Sequence, residues 1–405
     1  MQILTVDIGT GTQDIYLFDS RLDIENGFKL VLPSPTMIVH QRMKEATRRG
    51  QAVLLSGVIM GGGPSQWAAE AHIREGYAIY ATPEAARSFN DDLEAVRGMG
   101  IEIVSEDEAK QLPDSVANIE MRDFDFPGLF SVFEKFGVSL SRLKAAAVAV
   151  FDHGNAPPDV SDRQFRFDYL DQRIREKNSL SAFAYRAEAI PPIMTRLQAV
   201  ANSAGGLEVP LVVMDTAPAA VLGATFDPWV ADRKRVMIAN VGNFHTLAFR
   251  LRADEGGEYG IEGVFEHHTG LLDLPKLEDL LRALADGSLK HADVFGQHGH
   301  GALIYDPEPF PLETGELAVS VTGPRRNIFR SSSHNGAHSK PRRSLEKTEQ
   351  IRIRPYFAVP FGDMMLAGCF GLLAAAADLL PDFRESVLSA LRGKGDSGKA
   401  PWDAD

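Results

Sequence analysis

The chain is poor in cysteine, and this limits the kinds of site that it can build. Its 405 residues include a single cysteine, Cys369. One thiol cannot form a disulfide within the chain, and it cannot supply the ligands of an iron–sulfur cluster or a cysteine-rich zinc site. We therefore expect the protein to function in a reducing compartment, the cytoplasm.

Basic residues and long apolar runs are also scarce. The chain has 42 lysine and arginine residues against 55 aspartate and glutamate residues, a net charge of −13, whereas sequence-independent binding to nucleic acid needs clustered cations. The most apolar stretch, 364–380, is too short for a clean membrane span and predicts a buried helix. The first residues lack the basic and then apolar pattern of a secretion signal. We expect neither a nucleic acid nor a membrane partner.

Short strand and helix patterns alternate along the chain, which predicts an α/β fold with mixed sheets. A helix is predicted over 83–97, for example, and a strand over 101–104. Two segments, 3–19 and 236–251, resemble each other, because each contains an apolar strand, an Asp or Asn, a glycine turn with threonine, and a second strand. This similarity predicts two related hairpins, one in each half of the chain.

The first of these hairpins carries the motif Asp-Ile-Gly-Thr-Gly-Thr at residues 7–12. A glycine-containing turn exposes consecutive backbone N–H groups that suit phosphate oxygens. A carboxylate at the end of the preceding strand can hold Mg²⁺, and threonine hydroxyls can donate to phosphate. A structural turn that binds nothing is the alternative, since glycine is also the usual turn residue.

Five segments, in their order along the chain, resemble the actin-like ATPase superfamily, which includes sugar kinases, heat-shock chaperone ATPases and actin. Residues 7–12 (DIGTGT) resemble its first phosphate loop, and 214–220 (MDTAPAA) resemble its acidic residue and connecting helix. Residues 240–246 (NVGNFHT) resemble its second phosphate loop, 322–327 (TGPRRN) its adenosine loop, and 362–368 (GDMMLAG) its closing helix. The resemblance covers residues 2–377.

This resemblance implies a two-lobed, actin-like α/β fold, a duplicated ribonuclease H-like arrangement with mixed sheets, in which ATP and Mg²⁺ bind in a cleft between the lobes. The N-terminal lobe is expected at 1–215, with an insertion around 77–140, and the C-terminal lobe at 216–392. A polar, basic loop is predicted at 331–349 and a disordered tail at 393–405.

The resemblance also implies the residues of the site. Asp7 is expected to organise Mg²⁺, and Asp152 or Asp215 to position the nucleophile; a capping role in a turn is the alternative for Asp152. The residues expected to contact the nucleotide are Gly9, Thr10, Gly11, Thr12, Asn240, Gly242, Asn243, His245, Thr246, Gly323 and Arg325.

One departure from the superfamily leaves the function open. The second phosphate loop usually begins with Asp, whereas this chain has Asn240, which brings no charge to a Mg²⁺ site and cannot act as a base. The first hypothesis is Mg-ATP-dependent phosphoryl transfer to a small molecule, or ATP hydrolysis coupled to lobe closure. The second is a non-catalytic nucleotide-binding regulator or assembly factor with a protein partner. Self-association stays open.

Scattered histidines support a third hypothesis, a metal-dependent hydrolase. Several lie beside glycine or another histidine, and with Asp152 and Glu266 they could form a metal site or an acid/base relay: His153, His245, His267, His268, His298 and His300. No HExxH spacing is present, so ordinary loop histidines are the alternative.

The glycine-rich segment at 61–65 (GGGPS) precedes a predicted helix over 65–74. It either seats an anion at the helix N-terminus, with Ser65 as the capping residue, or is an ordinary turn.

More narrowly, the strings MGGGP, EHHTG, GHGA, TGPRR and PFGDMMLAGCFGLL resemble a bacterial and archaeal family labelled as pyruvate formate-lyase activating enzyme. A radical activating enzyme needs three cysteines for its cluster, and this chain has one. We therefore expect that the chain does not perform that reaction.

Overall fold

The structure is a computed structural model that describes residues 1–330 and 351–393. The predicted polar loop at 331–349, and all of the predicted tail after its first residue, lie outside the described residues. None of the helices in the described ranges is both long enough and apolar enough to cross a membrane.

The chain forms two compact units. The first comprises Met1–Pro157, Ala184–Thr216 and the described residues from Ala375 onward, and the second comprises Pro158–Phe183 and Ala217–Ala374. The boundary expected from the sequence, between 215 and 216, instead places 158–183 in the first lobe and 216 with 375–392 in the second. Segment 158–183 belongs to the second unit because its helix buries Phe167, Leu170 and Ile174 in that unit's core.

The part of the first unit that the structure describes contains two sheets. Its strands are β1 (Gln2–Ile8), β2 (Thr12–Asp19), β3 (Phe28–Pro33), β4 (Val53–Gly57), β5 (Ile79–Ala81), β6 (Ile101–Ile103), β7 (Ala117–Met121), β8 (Leu143–Val150), β9 (Ala184–Arg186) and β10 (Leu211–Asp215). The larger sheet has the order β3-β2-β1-β8-β10-β9. In it β1, β2 and β3 are antiparallel neighbours, whereas β1, β8 and β10 are parallel.

The smaller sheet of the first unit is parallel and has the order β6-β5-β4-β7. All four strands lie between β3 and β8 in the chain, in the region where an insertion is expected around 77–140. Strand β4, at Val53–Gly57, belongs to the same sheet although it precedes that range.

The described residues of the second unit form one sheet, of order β14-β13-β12-β11-β15-β16. Its strands are β11 (Arg235–Val241), β12 (His245–Ala253), β13 (Tyr259–His268), β14 (Gly301–Ile304), β15 (Leu317–Thr322) and β16 (Ile353–Phe357). Strands β11 to β14 pair antiparallel in succession, and β11, β15 and β16 are parallel.

The same five-strand order therefore occurs twice, as β3-β2-β1-β8-β10 and as β13-β12-β11-β15-β16. In both, the first three strands of the segment form an antiparallel meander, and the next two main strands continue the sheet in parallel beside the first strand. This duplicated order is the ribonuclease H-like arrangement of the actin-like fold, and it confirms the fold predicted from the sequence.

The described residues contain fourteen α-helices: α1 (Pro35–Arg48), α2 (Pro64–Arg74), α3 (Pro83–Ala86), α4 (Leu93–Gly98), α5 (Glu106–Ala109), α6 (Phe126–Lys135), α7 (Asp162–Glu176), α8 (Thr195–Asn202), α9 (Thr216–Ala224), α10 (Pro228–Ala231), α11 (Leu274–Asp286), α12 (His291–Phe295), α13 (Ala367–Leu379) and α14 (Pro381–Leu391). The single helix predicted over 83–97 is wrong. Two local hydrogen bonds interrupt it, because the side chain of Asn90 accepts from the N–H of Asp92, whose own side chain caps α4.

Within the second unit, α9 and α13 cross with their backbones in contact. A Cβ atom added to Gly223 of α9 would lie 1.7 Å from the carbonyl oxygen of Ala367, and one added to Gly371 of α13 would lie 1.9 Å from that of Ala219. Only glycine permits an approach this close. Gly223 and Gly371 are therefore required by the packing of these helices.

Candidate functional site

The turn between β1 and β2 is closed by one hydrogen bond. The N–H of Gly9 donates to the carbonyl oxygen of Thr12 at 2.9 Å. Gly9 and Gly11 are exposed, and Thr10 and Thr12 are partly buried. The turn is thus accessible to a ligand at four consecutive residues.

The start of helix α1 supports this turn. The hydroxyl of Ser34, the residue that caps α1, donates to the carbonyl oxygen of Thr10 at 2.6 Å, and the N–H of Ser34 donates to that of Gly11 at 3.1 Å. With these carbonyl oxygens occupied, the N–H groups and threonine hydroxyls are the polar groups that the turn can offer to an anion.

Three aspartates lie at the carboxyl ends of adjacent parallel strands of the first unit. Asp7 belongs to β1, Asp215 is the last residue of β10, and Asp152 follows β8 by two residues. Their exposed fractions are 9%, 7% and 4%. The structure brings together the three carboxylates that sequence reasoning selected as catalytic or metal-binding candidates.

Burial raises the pKa of Asp7 to about 6; a hydrogen bond from the hydroxyl of Thr216, at 2.5 Å, opposes this effect, and the charge of Asp215 adds to it. Burial likewise raises the pKa of Asp152. The N–H groups of Gly154 and Leu197 oppose that rise, since each donates to one carboxylate oxygen of Asp152 at 2.9 Å. The cluster therefore concentrates negative charge where water is largely excluded.

Sequence reasoning missed the cation beside these acids, Arg196. Its guanidinium donates to both oxygens of Asp123, at 2.7 and 3.0 Å, and to the carbonyl oxygen of Phe151 at 2.7 Å. Burial opposes its charge, but Asp123, Asp152 and Asp215 raise its pKa. No local motif marks Arg196, because its partner Asp123 lies 73 residues away in the chain.

The glycine-rich segment at 61–65 differs from its prediction. Helix α2 begins at Pro64 with Gly63 as the capping residue, and Ser65 lies inside the first turn. The hydroxyl of Ser65 donates back to the carbonyl oxygens of Gly61 and Gly62. The predicted capping role of Ser65 is therefore wrong, because the positive φ of 60° at Gly63 ends the loop one residue before the helix.

The turn between β11 and β12 repeats the first turn. The N–H of Gly242 donates to the carbonyl oxygen of His245 at 2.9 Å, as Gly9 does to Thr12. Asn240 stands two residues before this glycine, as Asp7 does before Gly9. Asn243 is partly buried like its neighbours in the turn.

The loop after β15 packs against this second turn. Gly323 has a φ of 95°, and a Cβ atom there would lie 2.5 Å from the carbonyl oxygen of Val241 and 2.7 Å from Oδ1 of Asn240. The N–H of Arg325 donates to that same carbonyl oxygen at 2.9 Å, while its side chain is exposed. Asn240, Gly323 and Arg325, three of the predicted contacts, thus lie together in the second unit.

Thr246 lies deeper than a nucleotide contact requires. Its side chain is fully buried, and its hydroxyl shares a hydrogen bond of 2.9 Å with that of Thr269. This hydroxyl holds β12 to the segment that follows β13.

A buried carboxylate, Glu266, organises the histidines of the second unit. Both of its oxygens accept hydrogen bonds from Nε of Arg166, at 3.0 and 2.8 Å, and Nδ1 of His245 lies 3.0 Å from Oε1. Burial alone would raise the pKa of Glu266, but Arg166, with His300 and His245, lowers it below its usual value. Glu266 is therefore a permanent negative charge whose main counterion is Arg166.

His245, His268 and His300 form a cluster around this carboxylate. Burial lowers the pKa of His300 to about 3, against the opposing charge of Glu266, and burial together with His245 lowers that of His268 to about 4. His267 points to the other face of β13, where its Nδ1 contacts the carbonyl oxygen of His268.

Two further predicted histidines differ in their surroundings. His298 is exposed. His153 belongs to the first unit, where its ring packs edge-on against Phe151 at 4.7 Å. Glu266 and His268 both lie in β13, and the two-residue period of a strand places them on one face. The alternative that these are loop histidines is therefore wrong for His268. The two-residue period is a signal in the sequence that could have placed Glu266 and His268 together, but it does not bring in His245 or His300.

The chain matches the model of a family described as “Putative pyruvate format-lyase activating enzyme (DUF1786)” over residues 60–328, more than half of its length. No curated protein matches it significantly.

Solved structures that are similar to the chain include two kinases. A ROK hexokinase from Thermus thermophilus is 14% identical, with 99% of this chain and 91% of that chain covered and a TM-score of 0.21. A carbohydrate kinase from Novosphingobium aromaticivorans is 11% identical, with 98% and 92% covered and a TM-score of 0.22.

An exopolyphosphatase-like protein is 10% identical, with 66% of this chain covered and a TM-score of 0.18. The chain spans 50% of the length of that protein. Because these TM-scores are low, the similarities do not support the fold, which is shown by the duplicated strand order.

Proposed function

We propose that this chain, which belongs to the DUF1786 family, binds a nucleotide with Mg²⁺ and uses it in phosphoryl chemistry. The reaction is either transfer to a small molecule or hydrolysis of ATP. One observation carries the proposal: the same glycine-closed turn joins the first two strands of both copies of the repeated strand order. Such turns present N–H groups to phosphate oxygens.

The family's description does not guide this proposal. An activating enzyme of that kind holds an iron–sulfur cluster through three cysteines, and the one cysteine of this chain, Cys369, is buried in α13. Phosphoryl chemistry needs no such cluster.

The acidic residues of the first unit fit Mg²⁺. Asp7, Asp152 and Asp215 offer oxygen ligands, which this ion prefers, and their mutual repulsion in a buried setting favours a cation. We assign Asp7 to Mg²⁺, directly or through water. The ion, when bound, neutralises phosphate charge.

Residues of the chain itself contact the phosphates and the nucleoside and position the attacking group. The turn at Gly9–Thr12, supported by Ser34, and the turn at Gly242–His245 contact phosphates through their main chain, and the loop at Gly323 contacts the nucleoside. Asp152 positions the attacking hydroxyl or water, because two backbone N–H groups hold its carboxylate in a fixed orientation.

Nucleotide-induced thermal stabilisation tests binding. ATP, ADP and GTP are added with and without Mg²⁺, and ligand at 100 times its Kd should add about 2.7 kcal/mol to the free energy of unfolding. Asp7→Asn should remove the part of the shift that depends on Mg²⁺. Asp19→Asn, a buried aspartate at the far end of the same hairpin, should keep it. No shift with any of the three nucleotides would exclude the proposal.

A second candidate function is a nucleotide-binding regulator without turnover, acting on a protein partner. Asn240 favours it, since this amide stands where the first repeat has Asp7 and carries no charge. A sensitive phosphate-release assay separates the two candidates. An enzyme hydrolyses or transfers phosphate, and Asp152→Asn abolishes this activity. A regulator binds nucleotide, but the unmodified chain releases no more phosphate than the Asp152→Asn variant.

A further inference from the structure

We propose that His245, His268 and His300 form a binding site for one divalent transition-metal ion, such as zinc, in the second unit. The site does not depend on nucleotide binding. Its donors come from three neighbouring strands: His245 begins β12, His268 ends β13 directly opposite it, and His300 immediately precedes β14.

The spacing of the three rings suits a single ion. Their centroids are separated by 5.1 Å (His245–His268), 4.9 Å (His245–His300) and 4.7 Å (His268–His300). Imidazoles bound to one tetrahedral ion at the usual zinc–nitrogen distance have centroids about 5 Å apart. A ring nitrogen of His245 and one of His300 lie within 4.8 Å of each other. The ring of His268 must turn about its Cβ–Cγ bond to bring a nitrogen to the same ion, and this needs no movement of the backbone.

Glu266 and Arg166 supply the surroundings that such a site needs. Histidines that bind metals usually donate their other ring N–H to a carboxylate, which fixes the ring and its tautomer. Nδ1 of His245 lies 3.0 Å from Oε1 of Glu266, and Nε2 of His300 lies 3.7 Å from the same oxygen. When His245 donates from Nδ1, its Nε2 holds the lone pair that binds a metal. Because Arg166 already balances the carboxylate, Glu266 orients the rings rather than acting as a ligand itself.

The donor set selects the class of ion. Three imidazoles favour zinc and neighbouring transition metals over Mg²⁺, which prefers oxygen ligands. Three histidines also leave one tetrahedral position for water or an anionic oxygen, as in catalytic zinc sites. His245 is the residue that closes the Gly242 turn, so this open position would lie near the main chain of that turn.

Metal uptake by the nucleotide-free protein tests the proposal. Full-length chain without a histidine tag is stripped with a chelator, dialysed against zinc chloride and analysed for bound zinc; we expect one zinc per chain. Cobalt chloride should give the visible absorption of four-coordinate cobalt, a readout that needs no variant. His245→Ala, His268→Ala and His300→Ala should each weaken zinc binding by more than the roughly 10- to 100-fold that loss of an outer carboxylate costs.

Two further variants control the interpretation. His298→Asn removes an exposed histidine two residues before His300 and should leave zinc binding unchanged. The double variant Arg166→Met with Glu266→Gln keeps the buried charge balanced, and it should retain one zinc per chain with about 10- to 100-fold lower affinity.

The outcomes are decisive and separate from those for nucleotide binding. Absence of both zinc uptake and the cobalt absorption in the unmodified chain would overturn the site. So would zinc binding that the three alanine variants leave unchanged, which would indicate adventitious binding elsewhere. Asp7→Asn should keep its zinc whether or not the chain binds ATP.

Discussion

Replacing Asp7 by asparagine should stabilise the metal-free protein while it weakens the binding of Mg²⁺. Asp7 lies at the end of β1, 9% exposed, where burial and Asp215 disfavour its charge. An asparagine has nearly the same shape, and its Oδ1 can still accept the hydrogen bond from Thr216. The substitution therefore removes the charge and little else.

The size of the effect follows from the pKa of Asp7, which is raised from 3.8 to about 6. Each pH unit between the two values corresponds to about 1.4 kcal/mol, so ionising this carboxyl costs the folded chain about 3 kcal/mol more than the unfolded chain. A raised carboxyl pKa leaves stability unaffected well below pH 3.8, lowers it progressively between pH 3.8 and about 6, and adds no further loss above that pH. We therefore expect Asp7→Asn to be more stable than the unmodified chain by up to about 3 kcal/mol at pH 7, with little difference at pH 4.

Urea unfolding at pH 4 and pH 7, in the presence of a chelator, measures this difference. Asp19→Asn is the matched control, because Asp19 is also a buried aspartate of the same hairpin but its pKa is shifted in the opposite direction. Burial opposes the charge of Asp19, yet hydrogen bonds from Arg21 and Gln2 lower its pKa. Its replacement should therefore reduce stability at pH 7, and the loss should shrink as the pH falls through the lowered pKa.

A result of the opposite sign would refute the reasoning. If Asp7→Asn is less stable at pH 7, or if its advantage is the same at both pH values, the charge of Asp7 is not disfavoured in the folded chain. The carboxylates at the ends of β1, β8 and β10 would then not form a site that attracts a cation.

Two glycine substitutions test the packing around the turns and helices. Gly323→Ala should lower the free energy of unfolding by about 2 to 4 kcal/mol, since its Cβ atom would meet the carbonyl oxygen of Val241 at a positive φ. Gly315→Ala, also at positive φ but in open space, should lower it by about 1 kcal/mol. Equal losses in the two variants would contradict the packing described for Gly323. Gly223→Ala should prevent the close approach of α9 and α13 and lower the thermal midpoint of unfolding sharply. Gly98→Ala, with no atom near its Cβ position, should leave that midpoint unchanged or raise it slightly. A Gly223→Ala variant with an unchanged midpoint would show that the helices can separate.

Much of the fold could be predicted from local patterns. The hairpins at 3–19 and 236–251 are encoded by two apolar runs on either side of a glycine turn, and the structure has them as β1/β2 and β11/β12. Helix α11 follows from the spacing of its leucines, which pack in the core of the second unit. The order of the segments was enough to predict the duplicated fold, because each strand and turn carries its signal within a few residues.

Part of the candidate site was encoded in the same local way. An aspartate at the end of a buried strand can be read from the sequence, and Asp7, Asp152 and Asp215 meet because carboxyl ends of parallel strands lie at one edge of a sheet. The predicted helix over 83–97 failed for a local reason as well, since the signal for its interruption was the Asx turn at Asn90–Asp92.

The partners of the buried charges could be identified only from the tertiary structure. Arg196 reaches Asp123 across 73 residues, and Arg166 reaches Glu266 across 100. Neither pair has a sequence signal, because a buried charge can be balanced by any residue that the fold places beside it. The sequence determined the strands, the turns and the acids at their ends; the packing of distant elements determined the counterions, and with them the setting of the carboxylates and the grouping of the three histidines.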